Sequence, residues 1–308
     1  MNHVYGPVPS RRLGFSLGVD IVPYKTCTLD CIYCQIGRTT EKTLDRKPYA
    51  HKGDIMAEVK EVLRKKQSID YITFSGSGEP TLNADIGVLI EEVKEYTSLP
   101  VAVLTNGTLL FREDVQNDLL HADVVLPSLD AASLPVFRRV NRPHPALNIE
   151  TVLDGLKKFR GIYGGRIWLE IMLIRGVNDS AEELSRIRNA VTAIRPDRVH
   201  LNTVVRPPAE MHAKPLSREE MRTVKRVLDE DCEVIAEFHG HMAEEAENVE
   251  DSLVEMARRR PVTITDIAHV LGISEMNARH MVGMLSAKKG IEEKEYQGEK
   301  YYFLPKAS

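Results

Sequence analysis

Cys27, Cys31 and Cys34 stand in a C-x3-C-x2-C spacing, close enough for one short loop to aim three sulfurs at a common centre. Three thiolates are a cradle for iron, and an iron-sulfur cube held by three cysteines keeps one iron open to a ligand from outside. Such an iron invites a substrate or cofactor. Structural zinc takes four protein ligands, often as two pairs; no second pair exists here, although His51 could complete a set. Disulfides fit less well, because three clustered cysteines and a distant Cys232 are not an even framework and no secretory segment opens the chain. Reducing cytoplasm is the expected compartment.

A second stretch with chemical potential is Ser75-Gly-Ser-Gly-Glu-Pro-Thr-Leu. Its glycines let backbone atoms approach a ligand closely, and Glu79 offers an acceptor for an ammonium group. Alone, it could equally be a strand-to-helix turn. The cysteine spacing, with Tyr33 just before the third cysteine, resembles the signature of the radical S-adenosylmethionine (SAM) superfamily. That resemblance implies a [4Fe-4S] cluster whose open iron binds the amino and carboxylate groups of SAM, and a reductive cleavage that yields a 5'-deoxyadenosyl radical. It also implies that Gly76, Ser77, Gly78 and Glu79 correspond to the motif that binds the methionyl amine. By the same similarity Thr105 and Asn106 shape the cosubstrate pocket, Ser128 or Asp130 meets the ribose hydroxyls, and the backbone from Ile171 to Val177 lies along the adenine. Each of these strand-end residues could instead cap a helix or shape a turn.

Such residues need a scaffold that gathers them. Apolar, β-branched runs alternate with amphipathic stretches through the first three quarters of the chain, the pattern of repeated βα units. Strands are expected at Phe15–Ile21, Tyr71–Phe74, Val101–Leu104, Val124–Leu126, Ile167–Leu173 and Val199–Val204. Helices are expected at Asp54–Lys66, Ala84–Tyr96, Ile149–Phe159, Ala181–Ile194 and Ser217–Leu228. Six units predict an α/β partial (β/α)6 barrel of the TIM type over residues 1–243, with ligands at the carboxyl ends of the strands. The cysteine loop directly follows the first strand, where such a fold builds its chemistry.

Residues 249–308 read as a second domain beyond an acidic linker at Glu244–Glu250. Ser252–Arg259 is an expected helix, Thr263 begins another that turns at Gly272, Glu275–Lys288 is a third, and Ile291–Leu304 is a hairpin with Gln297-Gly298 at its tip. This resembles a winged helix-turn-helix, whose second helix can enter a major groove. Basic residues there are offset by acidic ones, whereas a module that neutralises several phosphates needs a positive excess. Docking or oligomerisation is therefore preferred to DNA binding.

At 308 residues, with 43% hydrophobic and 28% charged side chains, the chain can bury a large core, and its net charge of -4 gives no general pull toward nucleic acid. No apolar run reaches the length of a membrane span. Arginines cluster at Arg11-Arg12, at Arg138, Arg139 and Arg142, and at Arg206, where their forks could hold a carboxylate or phosphate. Cys232 reads as a buried thiol, and His239 and His241 as loop residues. The wording Tyr5-Gly-Pro-Val-Pro-Ser-Arg-Arg-Leu-Gly together with Arg138-Arg-Val-Asn-Arg-Pro resembles a prokaryotic radical SAM group related to the wyosine-forming tRNA enzymes. Those enzymes carry extra cysteines for a second cluster, which this chain lacks. The resulting expectation is a radical SAM enzyme, oxidoreductase or transferase, acting on tRNA, protein or another substrate, with an electron donor of flavodoxin or ferredoxin type. The alternative is an iron-sulfur regulator that binds DNA through the winged domain.

Overall fold

The computed structural model describes residues 3–65, 68–229, 231–235 and 249–305. His239, His241 and the linker at 244–248 lie outside them, as does the expected end of the first helix at Lys66. Twelve strands and ten helices are found among the described residues. The strands are β1 (Val4–Ser10), β2 (Gly14–Val19), β3 (Thr26–Cys27), β4 (Glu41–Lys42), β5 (Tyr71–Phe74), β6 (Val101–Thr105), β7 (Val124–Pro127), β8 (Arg166–Leu173), β9 (Arg198–Thr203), β10 (Glu233–Val234), β11 (Glu292–Tyr296) and β12 (Glu299–Phe303). The helices are α1 (Lys52–Arg64), α2 (Ile86–Tyr96), α3 (Glu113–Leu119), α4 (Leu134–Val140), α5 (Ile149–Ile162), α6 (Ala181–Ile194), α7 (Arg218–Leu228), α8 (Val249–Arg259), α9 (Ile264–Leu271) and α10 (Glu275–Lys289).

Eight strands form one sheet in the order β1-β2-β5-β6-β7-β8-β9-β10, parallel throughout except for β1, which pairs antiparallel with β2. The six expected strands are β2 and β5 to β9, joined in order by helical crossovers. Strands buried on both faces read as continuous apolar runs, as in Val101-Ala-Val-Leu. One face packs Leu17, Phe74, Val103, Val125 and Ile167 against the helices. The other turns Leu13, Ala102, Val124, Leu126 and Trp168 inward. Helix starts follow the chemistry of their caps: Ser180 accepts from Glu183 N, and Ser217 and Glu220 close a capping box.

Arg11 ties the two ends of this sheet together. It leaves the turn after β1 and donates to Asn202 Oδ1 of β9 at 3.1 Å and to the Ile235 carbonyl beyond β10 at 2.9 Å. Arg12 enters beside it and pairs with Glu170 of β8. Cys232 is buried, as expected, and burial pushes its thiol up to about 11. No helix among the described residues is long and apolar enough to cross a membrane.

Residues 249–305 gather three helices and a hairpin around their own apolar cluster, which includes Leu253, Ile267, Val282, Leu285 and Tyr302. Thr263 and Asp266 form a capping box on α9, and Gly272 ends that helix in the left-handed conformation. A bridge between Val262 and Tyr302 adds a third extended segment to the β11-β12 hairpin.

His200 of β9 is buried near Arg12 and Arg198, with Trp168 at its edge and Glu233 Oε2 3.7 Å from Nε2. Burial first, and the two arginines next, lower its pKa to about 4. A depressed folded pKa means that the unfolded chain takes up the proton first, so this residue's contribution is complete above pH 6.5 and is lost as the pH falls toward 4. The expected loss between pH 7 and pH 5 is about 2 kcal/mol. Urea titrations at both pH values should show it, and a His200→Asn variant should show a correspondingly smaller difference.

Candidate functional site

The carboxyl ends of β2, β5, β6 and β7 bring the sequence candidates together. Cys27 closes β3, whose pairing with β4 fixes the start of the cysteine loop. Lys25 N donates to Ser77 O at 2.7 Å and Glu79 N to Thr26 O at 3.1 Å, so the cysteine loop and the glycine loop are bonded to each other. Gly78 permits this approach: a Cβ there would lie 2.0 Å from Thr26 O. Gly76 adopts φ 155°, a conformation that side chains resist. On the far side, Ile32 N bonds Val140 O at 2.9 Å and Asp30 N bonds Asn141 O at 2.9 Å, anchoring the loop to the end of α4.

Each cysteine sulfur accepts a hydrogen bond from a different side chain. Lys25 Nζ donates to Cys34 Sγ at 3.2 Å, Asn106 Nδ2 lies 3.6 Å from Cys27 Sγ, and Asn141 Nδ2 donates to Cys31 Sγ at 3.4 Å. Burial, and then Glu79, push the Cys27 thiol up to about 12. Burial, and then Asp130, raise Cys31 well above the usual thiol range. Burial thus favours the neutral thiol at Cys27 and Cys31 until a metal replaces the proton.

The two carboxylates behind the loop are buried and heavily bonded. Glu79 Oε1 accepts from Thr81 N at 3.1 Å, Thr81 Oγ1 at 2.6 Å and Thr105 Oγ1 at 2.6 Å, while Oε2 accepts from Asn106 N at 2.7 Å. Burial raises its pKa, and these bonds oppose the rise. Asp130 accepts from Tyr33 Oη at 2.5 Å, Asn141 Nδ2 at 2.7 Å and Met172 N at 2.9 Å. It thus joins the residue before the third cysteine, the donor to Cys31 and strand β8. Burial raises its pKa as well, against the pull of Tyr33.

Of the remaining candidates, Ser77 turns its hydroxyl to Asp20 Oδ2 at 2.7 Å. Asn106 also bonds Thr28 and Thr108, and Ser128 lies with Asp130 and Asn141 in the wall of a small cavity. The arginines divide. Arg142 pairs with Glu210 at 2.7 Å, Arg139 bonds the Gly176 carbonyl and Arg138 is exposed. The direct sulfur partners Lys25 and Asn141 were not singled out as site residues by sequence reasoning. Lys25 adjoins the cysteine motif, and Asn141 sits inside the Arg138 to Pro143 run, which was read for its charge and for its family resemblance but not for a role of Asn141.

The donor set fits an iron-sulfur cluster. Three thiols on one loop, each with its own hydrogen-bond donor, match the ligand count of a cube with one open iron. Structural zinc takes four protein ligands, and the loop supplies three.

Comparison with known proteins agrees. Residues 21–187 match the radical SAM superfamily. A UPF0026 protein of Methanocaldococcus jannaschii is 33% identical over 309 residues, covering 98% of this chain and 96% of the relative. A protein of Brachyspira hyodysenteriae named GTPase Obg is 39% identical over 275 residues, 88% of this chain, but the chain spans only 40% of that relative. The present chain contains no G-x-x-x-x-G-K-S/T phosphate loop. The crystal structure of a radical SAM methyltransferase from Sphaerobacter thermophilus is similar with a TM-score of 0.55 at 18% identity, covering 72% of this chain and 65% of that one, a likeness of fold. Enzymes of this superfamily use a [4Fe-4S] cluster and SAM, and the present chain, with its partial barrel and three-cysteine loop, belongs to the radical SAM superfamily and to its UPF0026 branch.

Proposed function

We propose that the protein is a radical SAM enzyme in which Cys27, Cys31 and Cys34 hold the cluster and the ends of β5 to β7 hold SAM. The observation that carries this reading is the set of three thiols with three separate donors, set beside a buried glycine-loop carboxylate. When bound, the cluster and SAM supply a 5'-deoxyadenosyl radical on one-electron reduction.

The chain's own residues position and shield. Lys25, Asn106 and Asn141 direct N–H groups at the sulfurs, which tunes the potential and fixes the loop. Glu79 receives the methionyl amine, with Oε2 the oxygen that retains spare accepting capacity. Thr105 and Asn106 brace that carboxylate. Ser128 is the better candidate for the ribose, because Asp130 already spends its oxygens on Tyr33, Asn141 and Met172.

Residues 249–308 form a winged helix-turn-helix domain beside the 1–243 core in this reading, and they present a macromolecular substrate. Tyr296 and Tyr301 of the hairpin pack with Ile32, Met172 and Val204, next to Tyr33 and at the ends of β8 and β9. The expected similarity to wyosine-forming enzymes favours tRNA. Against the alternative of a DNA-binding regulator stand this seated hairpin and the balanced charge of the module. The test is anaerobic reconstitution with iron and sulfide, followed by addition of SAM with and without dithionite. Reductant-dependent 5'-deoxyadenosine supports the reading, whereas a fully loaded protein that fails to bind SAM overturns it.

A further inference from the structure

Arg11, Arg206 and Arg260 meet at the seam where the open edge of the sheet faces residues 249–305. Arg206 is the third residue after β9 and is buried, 9% exposed; its Nη2 lies 3.3 Å from Asp266 Oδ2, while its Nε has no partner. Among the described residues Arg11 bonds only neutral acceptors, Asn202 Oδ1 and the Ile235 carbonyl. Arg260 follows α8, and no side-chain hydrogen bond or ion pair of it is found among the described residues. Asp266, the only carboxylate among the described residues that faces all three, also caps α9 through Thr263 N at 3.3 Å. Arg12 and Glu170 neutralise each other nearby, and the exposed Glu299 reaches the Tyr301 hydroxyl at 3.4 Å. Among the described residues, three guanidinium groups against one carboxylate leave an excess of two positive charges. Arg11 and Arg260 are only half-buried, so the seam has access to solvent.

Burial, then repulsion from Arg206, lowers Arg260 to about 9 and Arg11 to about 10. Gathering like charges in a partly dry seam costs free energy unless a ligand compensates. We infer that this seam binds a phosphate monoester of the substrate: a dianion with three acceptor oxygens matches the excess charge and the unused N–H groups. The inference deepens the proposed function and rests on it, but its test needs no turnover.

Thermal unfolding of the cluster-loaded protein is measured anaerobically with inorganic phosphate, with glycerol phosphate and with dimethyl phosphate, each against chloride at equal ionic strength. Phosphate and glycerol phosphate should raise the midpoint by about 3 °C or more near saturation. Arg260→Gln should weaken their affinity about 10-fold or more. It should also raise the midpoint in the absence of phosphate, because repulsion is relieved; a merely structural arginine would lower it. Arg11→Lys, which keeps the charge, should retain part of the response. Equal effects of phosphate and chloride, equal effects of dimethyl phosphate, or an undiminished phosphate response in Arg260→Gln would each overturn the assignment. Absence of 5'-deoxyadenosine in the earlier assay is a separate failure, of the radical SAM reading itself.

Discussion

A Cys31→Ala variant is expected to fold and to form no 5'-deoxyadenosine above background. The thiol is half-buried and contributes one weak hydrogen bond, from Asn141 at 3.4 Å, and Asn141 keeps Asp130 as a second acceptor at 2.7 Å. Truncation therefore costs about 1 kcal/mol of stability. The cluster, by contrast, loses one of three protein ligands on a loop that offers no substitute, since Cys232 lies apart, packed among Leu201, Val224 and Leu228. Iron content, visible absorbance and SAM cleavage should fall together while the circular dichroism spectrum stays native. If 5'-deoxyadenosine persisted at wild-type levels, the cysteine loop would not be the cluster site.

The second large effect is expected from Asp130→Ala, and it is one of stability. Removal of the carboxylate leaves Tyr33 Oη and Met172 N without their acceptor and takes one from Asn141 Nδ2; Met172 and Asn141 are buried and Tyr33 is half-buried. Buried orphaned donors cost about 1–3 kcal/mol each. Relief from burying a charge returns part of this, so a net loss of about 2–4 kcal/mol follows. Urea denaturation of the cluster-free protein under reducing conditions measures it. A variant as stable as the wild type but impaired in SAM affinity would instead place Asp130 on the ribose.

The contrast between these residues shows what the chain discloses by itself. The cysteines and Glu79 stand out as candidates because their motifs are local, a loop of fixed spacing and a glycine turn, whereas Asn106 and Asn141, which bond Cys27 and Cys31, lie 79 and 110 positions away. The six central strands and helix α6 were legible because their apolar periods are regular, and α10 because Ser274 and Gly290 mark its ends. Strand β1 escaped notice because Gly6, Pro7 and Pro9 interrupt its alternation, which an edge strand tolerates. Helices α3 and α4, with seven residues each, are too short to establish a period. Asp130 reads alone as a strand-end polar residue; its work depends on Tyr33, 97 positions away, and nothing local announces such a pairing. Arg11 and Arg12 showed as a basic pair, but not that one would bridge the sheet and the other enter beside Glu170.

The hairpin seat has a thermodynamic consequence. Tyr301 Oη donates to Val205 O at 2.8 Å, and Tyr296 Oη and Gln297 Nε2 reach Val204 O at 3.4 Å and 3.2 Å. The next residue along that strand end is Arg206, and the same apolar cluster contains Ile32 from the cysteine loop. Lifting the hairpin would strip two carbonyls of their donors and wet the flank of the loop in one motion. Any ligand that binds more tightly with the hairpin down must, by reciprocity, hold the hairpin down by the same factor. For such a ligand, occupancy of the barrel mouth and closure of the C-terminal hairpin would be two readings of a single equilibrium, and a probe on α10 would report what is bound at the strand ends.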